Sequence, residues 1–238
     1  MSTDLLVALI VFLAILAQTT TGFGLALVSM PLLTAVIGLT TAAPLVALFG
    51  VLAEIIILLR YREAVYIRPV VKLVVSAFVG IPLGLWLLQV VDPEIGAHAL
   101  GVLVAGYALY ALFNFRLPPL ARSVWAYLFG FAAGALGGLY NTAGPPVIIY
   151  GSCRQWSPAT FKGNLQGFFV PVSLMILVGH VVDGNVTAAV WRLLLVSIPA
   201  VGLGLLVGFA LDGRIPAATF RKIVLALLLV IGLRLTIS

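Results

Sequence analysis

Two glycine breaks inside otherwise apolar stretches hold the residues best suited to chemistry in this sequence. The first is Thr19-Thr20-Thr21-Gly22-Phe23-Gly24; the second runs Gly137-Gly138-Leu139-Tyr140-Asn141-Thr142-Ala143-Gly144-Pro145-Pro146. Thr20, Thr21, Tyr140, Asn141 and Thr142 offer hydroxyl and amide donors, while Gly22, Gly24 and Gly144 let a ligand approach the backbone. Such groups bind a ligand rather than make or break bonds. If a half-helix starts after each break, near Gly24 and Pro145, its free N–H groups and about half a positive charge suit a small anion. For any single threonine, packing between helices is the plainer reading. Two polar breaks at matched positions favour a binding site.

The matching rests on an internal duplication. Leu83-Gly84-Leu85 recurs as Leu203-Gly204-Leu205; at the same spacing Asp92, Ile95 and Ala97 recur as Asp212, Ile215 and Ala217, and Gly24 as Gly144. The copies occupy residues 1–118 and 119–238 of one membrane domain. Their loop charges are opposite. The connection around Arg60, Arg62, Arg68 and Lys72 is basic, while its counterpart near His180 and Asp183 carries only Arg192. The connection at Asp92 and Glu94 is acidic, while its counterpart holds Arg214, Arg221 and Lys222. Inverted-topology repeats should differ in this way, because the equivalent loops face opposite sides of the bilayer. That architecture belongs chiefly to secondary transporters.

Composition fixes the solvent. With 63% hydrophobic and 8% charged residues and a mean hydropathy of +1.25, the chain is an all-α polytopic membrane protein that partners the lipid bilayer. The net charge of +6 does not imply nucleic acid, because the Lys and Arg residues sit in short connections between apolar runs. A single cysteine, Cys153, excludes an intramolecular disulfide and a cysteine-cluster metal site. The apolar run after Asp4 lacks the basic leader of a cleaved signal peptide, and no polar stretch is longer than a loop.

Eight hydrophobic segments follow: Asp4–Val36, Thr41–Leu59, Pro69–Val90, Ile95–Asn114, Val124–Tyr150, Pro158–Gly179, Thr187–Ala210 and Pro216–Leu235. The first, as one helix, would reach about 50 Å against a hydrocarbon core of about 30 Å. The first and fifth therefore read as two half-helices each, joined by an irregular turn. If all eight segments crossed, the basic loops would divide between the two sides. If the broken segments turn back, eleven of the 13 Lys and Arg fall on one side, with only Arg192 and Arg234 opposite. That asymmetry favours re-entrant hairpins, three full crossings per half and both termini outside. A turn at membrane depth survives only where protein buries it or a cavity wets it.

The run Gly22-Phe23-Gly24-Leu25-Ala26-Leu27-Val28-Ser29-Met30-Pro31-Leu32-Leu33 resembles the glycine-rich signature opening the first half of the sulfite exporter TauE/SafE family, and Gly134 to Pro146 is similar to the signature opening the second. Leu25 and Ala26 replace glycines in the first motif, and Asn141-Thr142-Ala143 interrupts the second. The resemblance implies a permease of the cell membrane that moves small sulfur-containing anions, such as sulfite or sulfonates, usually outward.

Other polar residues complete the expected site. Lys162, Asn164 and Gln166 open the sixth segment, and Lys162 and Gln166 share a helix face. Asn164 and Gln166 lie deeper and suit the cavity; Lys162 suits either anion attraction or snorkelling to the inner boundary. Glu54 is the one carboxylate well inside an apolar run, a coupling group for protons or a partner of Arg60. His98 and His180 are expected at the outer interface, Arg154 as a topology anchor, and Trp125, Tyr127 and Trp191 in the interfacial belt. An intramembrane enzyme would need an activated serine with a histidine or a metal-binding cluster, and the sequence has neither. The expectation is a multi-pass secondary transporter of the bacterial inner membrane, without cofactor, exporting a small anion by alternating access. An anion channel, or an importer of another small anion such as a carboxylate, is the alternative. Proton coupling and assembly as a homo-oligomer stay open.

Overall fold

The computed structural model describes residues 3–113, 120, 122, 124–212 and 217–237. Arg116, Arg214 and the side chain of Arg221 lie outside the described residues. The first half forms α1 (Thr3–Thr21), α2 (Leu25–Ile37), α3 (Leu39–Tyr61), α4 (Ile67–Val90) and α5 (Pro93–Leu112). The second forms α6 (Trp125–Tyr140), α7 (Gly144–Cys153), α8 (Pro158–Val182), α9 (Ala188–Leu211) and α10 (Ala217–Ile237). No strand occurs among the described residues. Local signals set several starts: Asp92 accepts from the Glu94 and Ile95 amides ahead of Pro93, Ser157 caps α8 ahead of Pro158, and Thr187 caps α9. Six described helices are long and apolar enough to cross a bilayer: α1, α3 with its 3-10 turn to Ala64, α4, α5, α8 and α9.

Glycine determines which helices touch. A Cβ at Gly80 or Gly84 of α4 would collide with the carbonyl oxygens of Phe131 and Ala135, and one at Gly134 of α6 with that of Ala77. Backbones at that separation tolerate only small residues spaced by four, the device membrane helices use in place of hydrophobic attraction. A second such pair is α1 and α9, where Gly204 faces Ile15 and Gly208 faces Thr19. Thus α4 of the first half packs on α6 of the second, and α9 of the second on α1 of the first. α3 packs on α8, and α5 on α10.

α3 and α8 run in opposite directions. Tyr61 at the end of α3 lies beside Lys162 at the start of α8, and beside Asp212 just after α9. At the other end of the bundle Arg192 of α9 pairs with Asp4 of α1 at 2.9 Å. The two ends therefore differ in character, one gathering Arg60, Lys162 and Arg154, the other Asp4 and Arg192.

Both broken segments fold back, through turns of three residues that are shorter than the sequence motifs. α6 continues through Gly137 and Gly138 to Tyr140, and α7 begins at Gly144, one residue before the expected Pro145. Positive φ angles at Gly22 (85), Gly24 (109) and Asn141 (55) make the reversals. The rings of Phe129 and Tyr150 meet at 5.8 Å. The Leu120 N–H donates to the Cys153 carbonyl at 3.3 Å, and Arg154 donates to the Leu120 carbonyl at 2.8 Å. α7 thus ends where α6 starts. The hairpins overlap instead of meeting tip to tip. Gly22 rests on the Lys162 side chain near the start of α8, and Asn141 donates to the Ala43 carbonyl near the start of α3 at 2.8 Å. At 19 residues α1 is about 28 Å long, which explains how the first turn reaches so far.

His180 departs from the expected outer interface. It is fully buried, because the last turns of α8 press against α4, with Gly179 against Leu85, and Asn185 folds back to within 3.3 Å of its Nδ1.

Candidate functional site

A small cavity of about 30 Å³ lies where the two turns pass each other. Gly24 to Leu27 bound it from one hairpin and Asn141 to Gly144 from the other, joined by Gln18 of α1, Glu54 of α3, and Phe169, Ser173 and Ile176 of α8. That volume suits one or two waters, so a ligand larger than these needs the hairpins to move apart.

Its donors come from chain geometry. Gln18 Oε1 accepts the Leu25 N–H at 3.1 Å, and Gln18 Nε2 donates to Gln166 Oε1 at 3.4 Å. Gln166 Nε2 in turn donates to the Gly22 carbonyl at 2.8 Å. Leu25 is thereby used, while the first-turn amides of Ala26 and Leu27 have no acceptor within α2. In α7, Pro145 and Pro146 take away two N–H groups, so Gly144 is the one residue among its first three that has a donor. The hairpins are alike in shape and unlike in donor supply.

The residues singled out in the sequence divide between three places. Gly24, Asn141, Thr142, Gly144 and Glu54 line the cavity, and Gln166 braces its first turn. Thr142 lines it while donating to the Tyr140 carbonyl at 2.9 Å, and Tyr140 itself is buried. Thr20 and Thr21 turn back on α1, donating to the carbonyls of Leu16 and Ala17 at 2.8 Å each, so their hydroxyls shape the turn. Asn164 accepts the Tyr66 N–H at 2.6 Å and ties α8 to the connection between α3 and α4. Lys162 sits toward the basic end and pairs with Asp212 at 2.6 Å, with Tyr61 bonded to both.

The basic end carries a compact charged cluster. Partial burial pushes the Asp212 carboxyl up, but hydrogen bonds from Lys162 and Tyr61 and the charges of Lys162 and Arg60 outweigh it and hold the group below the ordinary aspartate value. Arg60 lies over the Phe209 ring at 5.0 Å, so it is not the partner of Glu54. Glu54 is 6% exposed and engages the Ser173 hydroxyl with one oxygen, while Oε2 has no partner among the described residues.

Sequence reasoning missed Gln18 and Ser173. Gln18 carried a usable signal, an amide in an apolar helix just before the glycine break. Ser173 carried none, because a lone serine in a membrane helix reads as packing. Among the described residues no three His, Cys, Asp or Glu side chains gather to hold a metal.

A model of the sulfite exporter TauE/SafE family matches residues 7–235. No curated protein and no solved structure matches the chain.

Proposed function

Because the chain belongs to the sulfite exporter TauE/SafE family, whose members are membrane transporters of sulfite or related anions, we propose that it exports small sulfur-containing anions such as sulfite or sulfonates. The family and the apolar helices make it a multi-pass membrane protein. The observation that carries the finer reading is the cavity itself, bounded by the starts of α2 and α7, one from each half of the chain. Helix starts present N–H groups and positive potential to an anion without a fixed cation, so binding stays weak enough for release. The halves, 1–118 and 119–238, act as inverted repeats that rock about this centre. The basic end faces the cytoplasm of a bacterial inner membrane, and both termini face outward.

In this reading the first turn and the Tyr61, Lys162 and Asp212 cluster act as the gate between the cavity and the basic end. Gly22 packs on the Lys162 side chain, so parting Lys162 from Asp212 would free the first hairpin to move. Purified protein titrated with sulfite, methanesulfonate, sulfate and acetate tests the reading. Sulfite or methanesulfonate should bind more tightly than acetate; acetate as the preferred ligand would replace the proposed substrate class with carboxylates.

A further inference from the structure

The cavity proposed to hold an anion contains a carboxyl group. Among its lining residues Glu54 is the one with an ionisable side chain. Its Oε2 has no hydrogen-bond partner among the described residues, and its other oxygen engages Ser173. Among the described residues nothing packed against Glu54 offers it a positive partner. On α8, Lys162 is held by Asp212, and His180 lies at the far end with Asn185. α9 brings Arg192, which is paired with Asp4 at the far end. α5 brings Glu94 and His98, which line a separate cavity. α2 has no charged residue, and the Arg62 and Glu63 of the 3-10 turn are exposed at the basic end, as is Arg60, which covers Phe209.

An anion and an ionised carboxylate enclosed in one small cavity repel each other, and each disfavours the charge of the other. A protonated carboxyl behaves in the opposite way. It removes the repulsion and turns an unused acceptor into an O–H donor, as an anion at membrane depth requires. We propose that Glu54 is a proton-binding site filled together with the anion, so that each anion enters the cavity with one proton. The proton comes from water on the side of entry, forms the O–H bond at Glu54 Oε2, and returns to water when the anion leaves. Coupling is then a property of the cavity and needs no separate relay. This inference rests on the anion-transport reading above.

The asymmetry of the fold supports it. At the repeat spacing, Glu54 corresponds to Leu174, so the carboxyl is present once for two hairpins. A group that served the shared architecture would be expected in both halves. A single group matches a single proton per cycle.

The test uses the full chain and methanesulfonate, which keeps one negative charge throughout the ordinary pH range. If one proton is taken up, the dissociation constant should rise by about tenfold for each pH unit once Glu54 is ionised in the free protein. Calorimetry in two buffers of different ionisation enthalpy should return about one proton absorbed per anion. Glu54→Gln, a permanent stand-in for the protonated form, should bind independently of pH with no proton uptake. Methanesulfonate binding without proton uptake in the unaltered protein overturns the coupling and leaves the anion reading intact. Pronounced pH dependence retained in Glu54→Gln also overturns it. Failure of folded protein to bind methanesulfonate or sulfite at any pH overturns both readings. If Glu54→Gln does not fold, the proton count of the unaltered protein decides alone.

Discussion

The Gln18 side chain of α1 donates to that of Gln166 of α8 across 3.4 Å, and between them the two amides hold the first turn at both ends. Gln18 takes the Leu25 N–H and Gln166 gives to the Gly22 carbonyl, so a helix from each half fixes one irregular loop. The second turn is tied in the reciprocal sense, with Asn141 bonded to Ala43 of the first half. Neither hairpin is therefore secured by its own half alone. A movement that parts the halves must loosen both turns, and with them the walls of the cavity.

The bond from Asn141 to Ala43 uses one of two amide hydrogens, which leaves the other for a ligand. Asn141→Ala should raise the dissociation constant for sulfite roughly tenfold, about 1.4 kcal/mol. Because φ at Asn141 is 55, alanine also meets backbone strain that glycine avoids. Thermal unfolding should therefore rank Asn141→Gly as more stable than Asn141→Ala; the reverse order would mean that the turn relaxes out of this conformation.

The α4–α6 seam admits no side chain at Gly134, whereas Gly106 of α5 has open space around it. Gly134→Leu should abolish recovery of folded protein and Gly106→Leu should leave it unchanged. Size-exclusion profiles in detergent check this, and a folded Gly134→Leu protein would show that the seam is looser than described.

Asp212 is held below its ordinary value, so the pair with Lys162 contributes fully above that ordinary value and is lost as pH falls through the depressed one. Asp212→Asn should destabilise by about 1.5–3 kcal/mol at neutral pH, the range for a hydrogen bond to a charged group. It should also flatten the acid limb of the stability profile and raise labelling of a cysteine at Ser173 from the basic end. An acid limb unchanged from that of the parent protein would assign it to another carboxyl.

In a Cys153→Ser background, cysteines at Arg122 and Arg154 should react with an impermeant reagent from the same side, and one at Arg192 from the other. Labelling of the first two from opposite faces would mean that the fifth apolar segment crosses.

Much of this architecture was legible in the sequence, because glycine, proline and charge are punctuation that membranes enforce strictly. The turns at Gly22–Gly24 and Asn141–Ala143 follow from residues that a continuous helix rejects, and the match of Gly24 to Gly144 puts both beside one cavity. What was illegible depended on rotation about helix axes. Lys162 and Gln166 share a face and both reach Gly22, the first by packing and the second by a hydrogen bond to its carbonyl. Yet Lys162 alone of the two extends to Asp212 at the basic end, because four residues of rise separate them by about 6 Å. Asn164 faces Tyr66 because α8 packs against the connection after α3, a tertiary fact without local trace. His180 read as an interface residue because position along the chain does not reveal the burial that α4 imposes.

The central claim is that an anion passes between the two hairpin turns. Gly144 lines the cavity, and a Cβ there would meet only ordinary contacts, Ile148 at 3.5 Å and Phe169 at 3.8 Å, so alanine fits and a larger side chain would occupy the cavity itself. Sulfite efflux from proteoliposomes carrying the unaltered protein should exceed that of empty vesicles. Gly144→Leu, reconstituted to the same level and shown to be folded, should reduce it to the empty-vesicle rate, while Gly144→Ala retains a measurable part. Efflux through Gly144→Leu equal to that of the unaltered protein would contradict the account and move the anion path away from the hairpins.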